Sequence, residues 1–298
     1  MTLPPFLQAG DTVAIVATAR KISPQELEEP ITTLKSWGLN VILGKHLYGA
    51  YHQFSGTDNE RMSDLQTALD NPQVKAIIIA RGGYGTVRII DELDFTKFTA
   101  SPKWIVGYSD ITVLHQHINQ NFGIATLHAT MPINFNKNKE ATESLRMALF
   151  GETLQYNFPF HPLNRTGTCS GEIIGGNLSL ISALSGSKSD IDTKDKILFI
   201  EDLDEYLYHI DRMMMNLKRS GKLKDLKGLI VGGMTEMKDN TIPFGKTAEE
   251  IIAEAVKEYD YPVCFNFPAG HIDENKAVYF GNNAELSVKT NLSTLYYR

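Results

Sequence analysis

The chain has 298 residues, of which 42% are hydrophobic and 21% charged, and its formal net charge is −6. This composition is ordinary for a globular protein with one large or two smaller domains, and the acidic balance argues against nucleic-acid binding, which needs clustered Lys and Arg. The two cysteines, Cys169 and Cys264, form no CxxC motif. Neither a zinc site nor a disulfide framework is indicated, and a reducing compartment is the simplest interpretation.

The first apolar run, residues 13–19, ends in Ala17-Thr18-Ala19, which mimics a signal-peptidase site. No basic segment precedes the run, and it is too short to span a bilayer. We therefore predict that it is a buried first strand and that the protein is cytoplasmic.

The first half of the chain alternates between strand and helix patterns. Strands are predicted at residues 12–17, 41–43, 74–80 and 103–107, and helices at 24–37, 59–69 and 109–119. Ser23 and Glu26 form a capping box before the first helix. The alternation predicts a parallel, doubly wound sheet, which binds ligands at the carboxyl ends of its strands. We assign residues 1–150 to an N-terminal α/β domain.

The segment 151–168 contains Pro159, Pro162 and Gly167 and shows no sustained period, so we predict a linker there. Residues 169–298 form a second, more mixed domain. Its predicted helices span residues 177–185, 204–219 and 247–259, and its predicted strands span 196–200, 229–232, 263–267, 277–280 and 284–289.

The most informative segment is 104–111, where an apolar strand ends at Gly107, Ser109 follows and a helical pattern begins. A tight strand-to-helix turn exposes a serine hydroxyl for attack and places backbone N–H groups of the new helix beside it. Ser109 is therefore the candidate nucleophile, and the N–H of Asp110 is a candidate oxyanion donor. Ile111 stands where the G-x-S-x-G elbow has its second glycine, so the turn departs from that motif.

A serine nucleophile needs a base, and the chain has eight histidines. His271 lies beside Gly270 in a loop directly after a predicted strand, where catalytic side chains concentrate. His128, at the end of a strand, is better explained as a structural residue. His115 and His117 lie two apart on a helix and face different ways, which excludes a shared metal site there. His271 is thus the candidate base.

Glu201 closes the apolar run 197–200, and a carboxylate at the end of a buried strand needs a partner. It is the candidate third member of the site, where a carboxylate orients the imidazole. Asp204 and Glu205 are explained as acidic residues at a helix N-terminus, which favours negative charge.

Gly82 and Gly83 follow the predicted strand 74–80. Glycine-rich loops cradle phosphates, but the sequence contains neither GxGxxG nor a P-loop motif, so a nucleotide site is weakly indicated. Beside Ser109, such a loop could instead donate a backbone N–H to an oxyanion. A plain turn is the alternative.

Taken together, six segments resemble the LD-carboxypeptidases, which are the muramoyltetrapeptide carboxypeptidases of serine peptidase family S66. They occur in the family's order and span most of the chain. They are Ala80-Arg81-Gly82-Gly83-Tyr84-Gly85, Gly107-Tyr108-Ser109-Asp110, Gly175-Gly176-Asn177-Leu178, Phe199-Ile200-Glu201-Asp202, Ile210-Asp211-Arg212-Met213 and Pro268-Ala269-Gly270-His271.

The resemblance implies a flavodoxin-like parallel sheet in the N-terminal domain and a mixed α/β C-terminal domain. It implies a triad of Ser109, Glu201 and His271 and an oxyanion hole from one amide of the glycine loop, taken as Gly83, and from Asp110. No metal or cofactor is expected. The implied activity is release of the terminal D-alanine from murein tetrapeptides, by cleavage of an L,D-peptide bond, by a cytoplasmic homodimer in peptidoglycan recycling.

A carboxypeptidase must also bind a free carboxylate. Arg81 and Gly82 are the candidate substrate-binding residues, and Arg20 is a further candidate cation, while an ordinary loop arginine is an equal alternative for Arg81. Two other functions stay open. A sister branch resembles this one in its triad but cleaves peptidyl or aminoacyl nucleotides of the microcin C type, and segment 201–212 looks less like that branch. The other is a two-domain module that binds a small ligand without chemistry.

Overall fold

The structure is a computed structural model that describes residues 1–297. Its first half alternates between strands and helices in chain order. The elements are β1 (Thr12–Val16), α1 (Pro24–Ser36), β2 (Asn40–Leu43), α2 (Asp58–Asp70), β3 (Val74–Ile79), α3 (Thr96–Ala100), β4 (Trp104–Gly107), α4 (Thr112–Phe122), β5 (Thr126–His128) and α5 (Lys139–Leu149).

Five of these strands form a parallel sheet in the order β2-β1-β3-β4-β5. This is the strand order of flavodoxin-like folds, and it confirms the predicted N-terminal architecture. β3 is an apolar run that is buried along nearly its whole length, as expected for a strand covered on both faces. The predicted capping box of Ser23 and Glu26 begins α1. The carboxyl ends of β1, β3 and β4 lie at one edge of this sheet.

Residues 151–297 contribute eight strands and three helices. They are β6 (Gln155–Pro159), β7 (Gly167–Asn177), α6 (Leu178–Ala183), β8 (Ile197–Leu203), α7 (Leu207–Arg219), β9 (Gly228–Thr235), α8 (Ala248–Ala255), β10 (Val263–Cys264), β11 (Val278–Phe280), β12 (Asn283–Val288) and β13 (Leu292–Tyr297).

Seven of these strands form a second sheet in the order β10-β9-β8-β7-β12-β13-β6. The strands from β7 to β10 pair in parallel, whereas β12, β13 and β6 pair antiparallel. One apolar cluster joins β8 and β9 to α6, α7 and α8. The mixed sheet with its helices confirms the predicted mixed α/β second half.

Several local predictions differ from the structure. The predicted strand 263–267 is shortened to β10 (Val263–Cys264), and β13 lies where no strand was predicted. The segment 151–168, predicted as a linker, contains β6, which pairs with β13 at the edge of the second sheet. β8 continues to Leu203, so Glu201 lies inside a strand rather than at its end. α7 begins at Leu207 rather than at Asp204, because Asp204 has a left-handed φ of 63° and donates its N–H to the carbonyl of Thr235 in β9.

The end of the chain returns to the first sheet. β11 pairs antiparallel with β5 and forms the outer strand on that side. A single apolar cluster contains Val106 and Leu127 of the first sheet together with Phe199 and Phe267 of the second half. The two halves therefore share a sheet and a core, and their division at residues 150 and 169 stays a prediction.

Candidate active site

Ser109 lies on the connection between β4 and α4, where one helical turn, Ser109–Ile111, precedes the α-helix. Its φ of 65° is in the left-handed region, which costs a non-glycine residue roughly 1–2 kcal/mol. Backbone strain of this kind persists where the surrounding structure fixes it, and it concentrates at functional sites. The strand-to-helix turn predicted from the sequence is present, and its strained backbone is an added feature.

The structure brings Ser109, His271 and Glu201 together. Nε2 of His271 lies 3.1 Å from Oγ of Ser109, and Nδ1 lies 2.6 Å from Oε2 of Glu201. The backbone N–H of His271 donates to the same carboxylate oxygen over 3.1 Å. A carboxylate accepts only, so Nδ1 carries the proton and Nε2 can accept the hydroxyl proton of Ser109. The arrangement is that of a nucleophile, a base and an orienting carboxylate.

Burial and charge act in opposite directions on this pair. Burial alone would lower the pKa of His271, but the Glu201 carboxylate raises it above the ordinary 6.5. Burial alone would raise the pKa of Glu201, which is fully buried, but the adjacent imidazole holds it below the ordinary 4.5. An ionised carboxylate thus stabilises the protonated imidazole that forms when His271 accepts a proton.

The loop that carries His271 is held by Asn275. Oδ1 of Asn275 accepts the Gly270 N–H over 2.8 Å and lies 3.2 Å from Nε2 of His128. Burial lowers the pKa of His128 to about 4, so its ring is neutral near pH 7 and donates through Nε2. A Cβ on Gly270, whose φ is 108°, would lie 2.7 Å from Cβ of Glu201. Glycine is therefore required where the loop crosses Glu201, and His128 has the structural contact predicted for it.

The glycine loop after β3 packs directly against Ser109. A Cβ on Gly82 would lie 3.1 Å from Cβ and 3.3 Å from Oγ of Ser109. Gly83 has a φ of 122°, a conformation that favours glycine. Among residues 1–297, its backbone N–H meets no protein acceptor. A free N–H in the loop that contacts the nucleophile, at a residue lining the same cleft, has the chemistry of an oxyanion donor.

A buried network ties the glycine loop to the turn that carries Ser109. The Asp110 carboxylate accepts the Thr86 N–H over 2.8 Å, and the Thr86 hydroxyl lies 2.7 Å from that of Thr18. Arg61 donates to the carbonyls of Gly85, at 3.0 Å, and of Thr18. The backbone N–H of Asp110 and the glycine loop are thus fixed relative to each other.

Ser109 and His271 open into a cleft of about 340 Å³. Arg20, Arg81 and Lys137 line this cleft, as do Gly82 and Gly83. Nη1 of Arg81 lies 3.4 Å from the Lys21 carbonyl oxygen and 3.9 Å from Oε1 of Glu26. The structure therefore places the substrate-binding candidates Arg81 and Gly82 at the cleft, with the Arg81 guanidinium next to a carboxylate of the protein.

Several residues that build the site are not among those predicted from the sequence. Asn134 and Lys137 line the cleft, and Asn134 donates to the hydroxyl of Tyr108, whose ring centroid lies 4.9 Å from that of His271. Their position after a strand of the parallel sheet is a signal that could have drawn attention to them. Arg61 and Asn275 act on backbone groups of distant segments, and no local pattern marks them.

The described residues hold neither a metal-binding cluster nor a candidate membrane span. Within residues 1–297, no group of three or more His, Cys, Asp or Glu side chains could hold a metal ion. In the same range, every helix is too short or too polar to cross a bilayer.

Comparisons with known proteins agree with the geometry. The family profile described as the LD-carboxypeptidase N-terminal domain matches residues 13–129, and that of the LD-carboxypeptidase C-terminal domain matches residues 170–286. The probable murein peptide carboxypeptidase of Bacillus subtilis is 36% identical to this chain, over 95% of this chain and 91% of its own length.

Solved structures give the same fold. A muramoyltetrapeptide carboxypeptidase from Oxalobacter formigenes superposes with a TM-score of 0.88 at 27% identity, covering 96% of this chain and 98% of that one. MccF in complex with glutamyl sulfamoyl guanosine also has a TM-score of 0.88, with 20% identity over 100% of this chain and 99% of that one, which shows the fold alone. The two matching domain profiles and the Bacillus subtilis relative establish that this chain belongs to the LD-carboxypeptidase family S66, whose members are hydrolases of peptide bonds.

Proposed function

We propose that this protein is a serine-type LD-carboxypeptidase that removes the terminal D-alanine from murein tetrapeptides. The observation that carries the proposal is the hydrogen-bonded chain from Ser109 through His271 to the buried Glu201, which opens into a cleft. Peptidases of unrelated folds use this constellation for acyl transfer. The names of the relatives support the murein substrate.

In the proposed mechanism, Nε2 of His271 takes the hydroxyl proton as Oγ of Ser109 attacks the carbonyl carbon that precedes D-alanine. The N–H groups of Gly83 and Asp110 donate to the oxyanion. His271 then gives the proton to the leaving amine, and D-alanine departs. Water attacks the acyl-enzyme with His271 again as the base, which releases the tripeptide and restores Ser109. Glu201 keeps the imidazole in the required tautomer.

Substitutions at Asp110 test the role of its carboxylate, because its backbone N–H, the proposed oxyanion donor, remains in every variant. We expect Asp110→Ala to lower kcat about 10- to 100-fold, less than the 10²–10³ that follows full loss of an oxyanion donor, because the glycine loop loses one tie to Ser109. Asp110→Asn keeps an oxygen that accepts the Thr86 N–H and should stay within about threefold of wild type. Steady-state kinetics on a murein tetrapeptide measure both. Equal losses of kcat in the two variants would contradict the role of the hydrogen bond between the Thr86 N–H and Asp110.

The substrate itself is tested by mass spectrometry. The purified protein is incubated in parallel with an L,D-tetrapeptide and with an aminoacyl sulfamoyl adenylate, the ligand class of the microcin C branch. We expect conversion of the tetrapeptide to the tripeptide with release of D-alanine. If the amino acid is released from the adenylate and the tetrapeptide stays intact, the protein is a nucleotide-conjugate hydrolase and this proposal is wrong. Turnover of neither, with tight binding of one, would indicate a binding module.

We further propose that the protein acts as a cytoplasmic homodimer in peptidoglycan recycling. Both cysteines, Cys169 and Cys264, are free thiols, which is consistent with a reducing compartment. The dimer rests on the family resemblance. Light scattering during size-exclusion chromatography measures the mass, and a monomer at micromolar concentration would contradict the dimer.

A further inference from the structure

The cleft beside Ser109 is cationic in a protein whose net charge is −6. Three basic side chains line it, those of Arg20, Arg81 and Lys137, and the cleft has no Asp or Glu in its lining within residues 1–297. Clefts lined by one sign of charge attract ligands of the opposite sign. The ligand chemistry that fits is an anion bound close to the nucleophile.

The three cations differ in their own partners. The Arg81 guanidinium faces Glu26 and the Lys21 carbonyl, so part of its charge and donor capacity is already used. Across the described range 1–297, neither Arg20 nor Lys137 forms an ion pair, whereas Arg81 pairs with Glu26. These two side chains are the ones available to a ligand.

Arg20 is placed next to the proposed oxyanion donor. A Cβ on Gly83 would lie 2.6 Å from Cγ and 2.9 Å from Nε of Arg20, so the arginine stem crosses the Gly83 backbone. Arg20 follows β1 and Lys137 follows β5, and these strands lie on opposite sides of β4 in the sheet order. The two cations therefore flank Ser109, with Arg20 on the side of the glycine loop.

In a carboxypeptidase substrate, the free carboxylate is separated from the scissile nitrogen by one carbon. Its receptor must then lie beside the oxyanion site, which is where Arg20 lies. We infer that Arg20 binds the free carboxylate of the leaving D-residue; this inference rests on the proposed function. The planar guanidinium fork matches a carboxylate in a bidentate pair, which a lysine ammonium cannot reproduce.

The test compares a tetrapeptide that ends in D-alanine with the same peptide ending in D-alanine amide. For wild type we expect kcat/KM on the free acid to exceed that on the amide by about tenfold or more. Arg20→Gln should reduce this acid-to-amide ratio to near one, and Arg20→Lys should restore part of it. Arg81→Gln should keep the wild-type acid-to-amide ratio. Lys97→Gln removes one positive charge from an exposed pair with Asp70, and it controls for the change in net charge.

A binding measurement separates this inference from the proposed function. Calorimetry with a Ser109→Ala protein gives the affinities for acid and amide peptides without turnover, and the Arg20→Gln change should remove the difference. If wild type is inactive but still binds the acid peptide more tightly than the amide in an Arg20-dependent way, the proposed function is overturned and the inference about Arg20 is kept. A preference that survives Arg20→Gln, or that disappears with Lys137→Gln instead, would overturn the inference. The inference would also be overturned if adenosine monophosphate binds in an Arg20-dependent way and with higher affinity than the acid peptide.

Discussion

Ser109→Ala is expected to lower kcat for D-alanine release by about 10⁴- to 10⁶-fold, the loss typical of removing a triad nucleophile. The reason is geometric, because the hydroxyl 3.1 Å from Nε2 of His271 is the group in the cleft placed to pass its proton to this base. The fold should survive, since alanine occupies the same backbone and removes one hydroxyl. Single-turnover kinetics with mass detection of the tripeptide measure the loss.

The matched control is Ser63→Ala, which removes a hydroxyl from an exposed position of α2. Its kcat should equal that of wild type. The Tm of both variants should lie within a few degrees of the wild-type Tm, because neither change opens a cavity in the core. Turnover by Ser109→Ala at more than a hundredth of the wild-type rate would contradict the proposed nucleophile.

Glu201→Gln is expected to lower kcat about 10⁴-fold and to move the acidic limb of the pH profile. His271 acts as a base only when neutral, so wild-type kcat/KM falls as the pH drops through its pKa, which Glu201 raises above 6.5. Glutamine removes the negative charge while the ring stays buried, and burial then lowers that pKa. The acidic limb should therefore lie at lower pH in the variant. Rates measured between pH 4 and 9 test the direction.

The control for this shift is Glu274→Gln. Glu274 is an exposed carboxylate of the loop that carries His271, and it pairs with Lys276 rather than with the imidazole. Its replacement should leave the limb in place. Asp202, whose pKa is raised to about 6 by burial and by Glu201, titrates in the same range, and its pKa also falls when Glu201 is replaced. The limb is therefore assigned to His271 if Asp202→Asn leaves it in place. An unchanged limb in Glu201→Gln would contradict the role of Glu201.

Much of the fold was predictable because it depends on local patterns. Alternating strands and helices predicted the flavodoxin-like half, and the capping box placed the start of α1. β6 and β13 were missed, since their buried residues alternate with more exposed ones and the strands are defined by their pairing, of β6 with β13 and of β13 with β12. The pairing of β11 with β5 joins segments from opposite ends of the chain, and periodicity carries no information about it.

Some residues of the candidate site were likewise predictable from local sequence patterns, and others were not. Ser109, Glu201 and His271 could be selected because each follows or lies in a strand of a recognisable pattern, and the structure places them within hydrogen-bond distance. Arg61 could not be selected, because a helical arginine is typical of a surface and only the tertiary structure shows its burial under the glycine loop. Asn275 likewise acts through the backbone of Gly270.

The late arrival of β11 has a consequence for biosynthesis. β5 ends at His128, and its neighbour in the sheet, Val278, emerges from the ribosome about 150 residues later, which is roughly 10–30 s at ordinary rates of translation. During that interval the nascent first half carries an open strand edge, a feature that invites pairing with other chains. Synthesis of β11 closes this edge just after the loop with His271 has been made. A ribosome that stalls before Val278 therefore leaves a polypeptide prone to aggregation, and chaperone demand should be highest over this stretch.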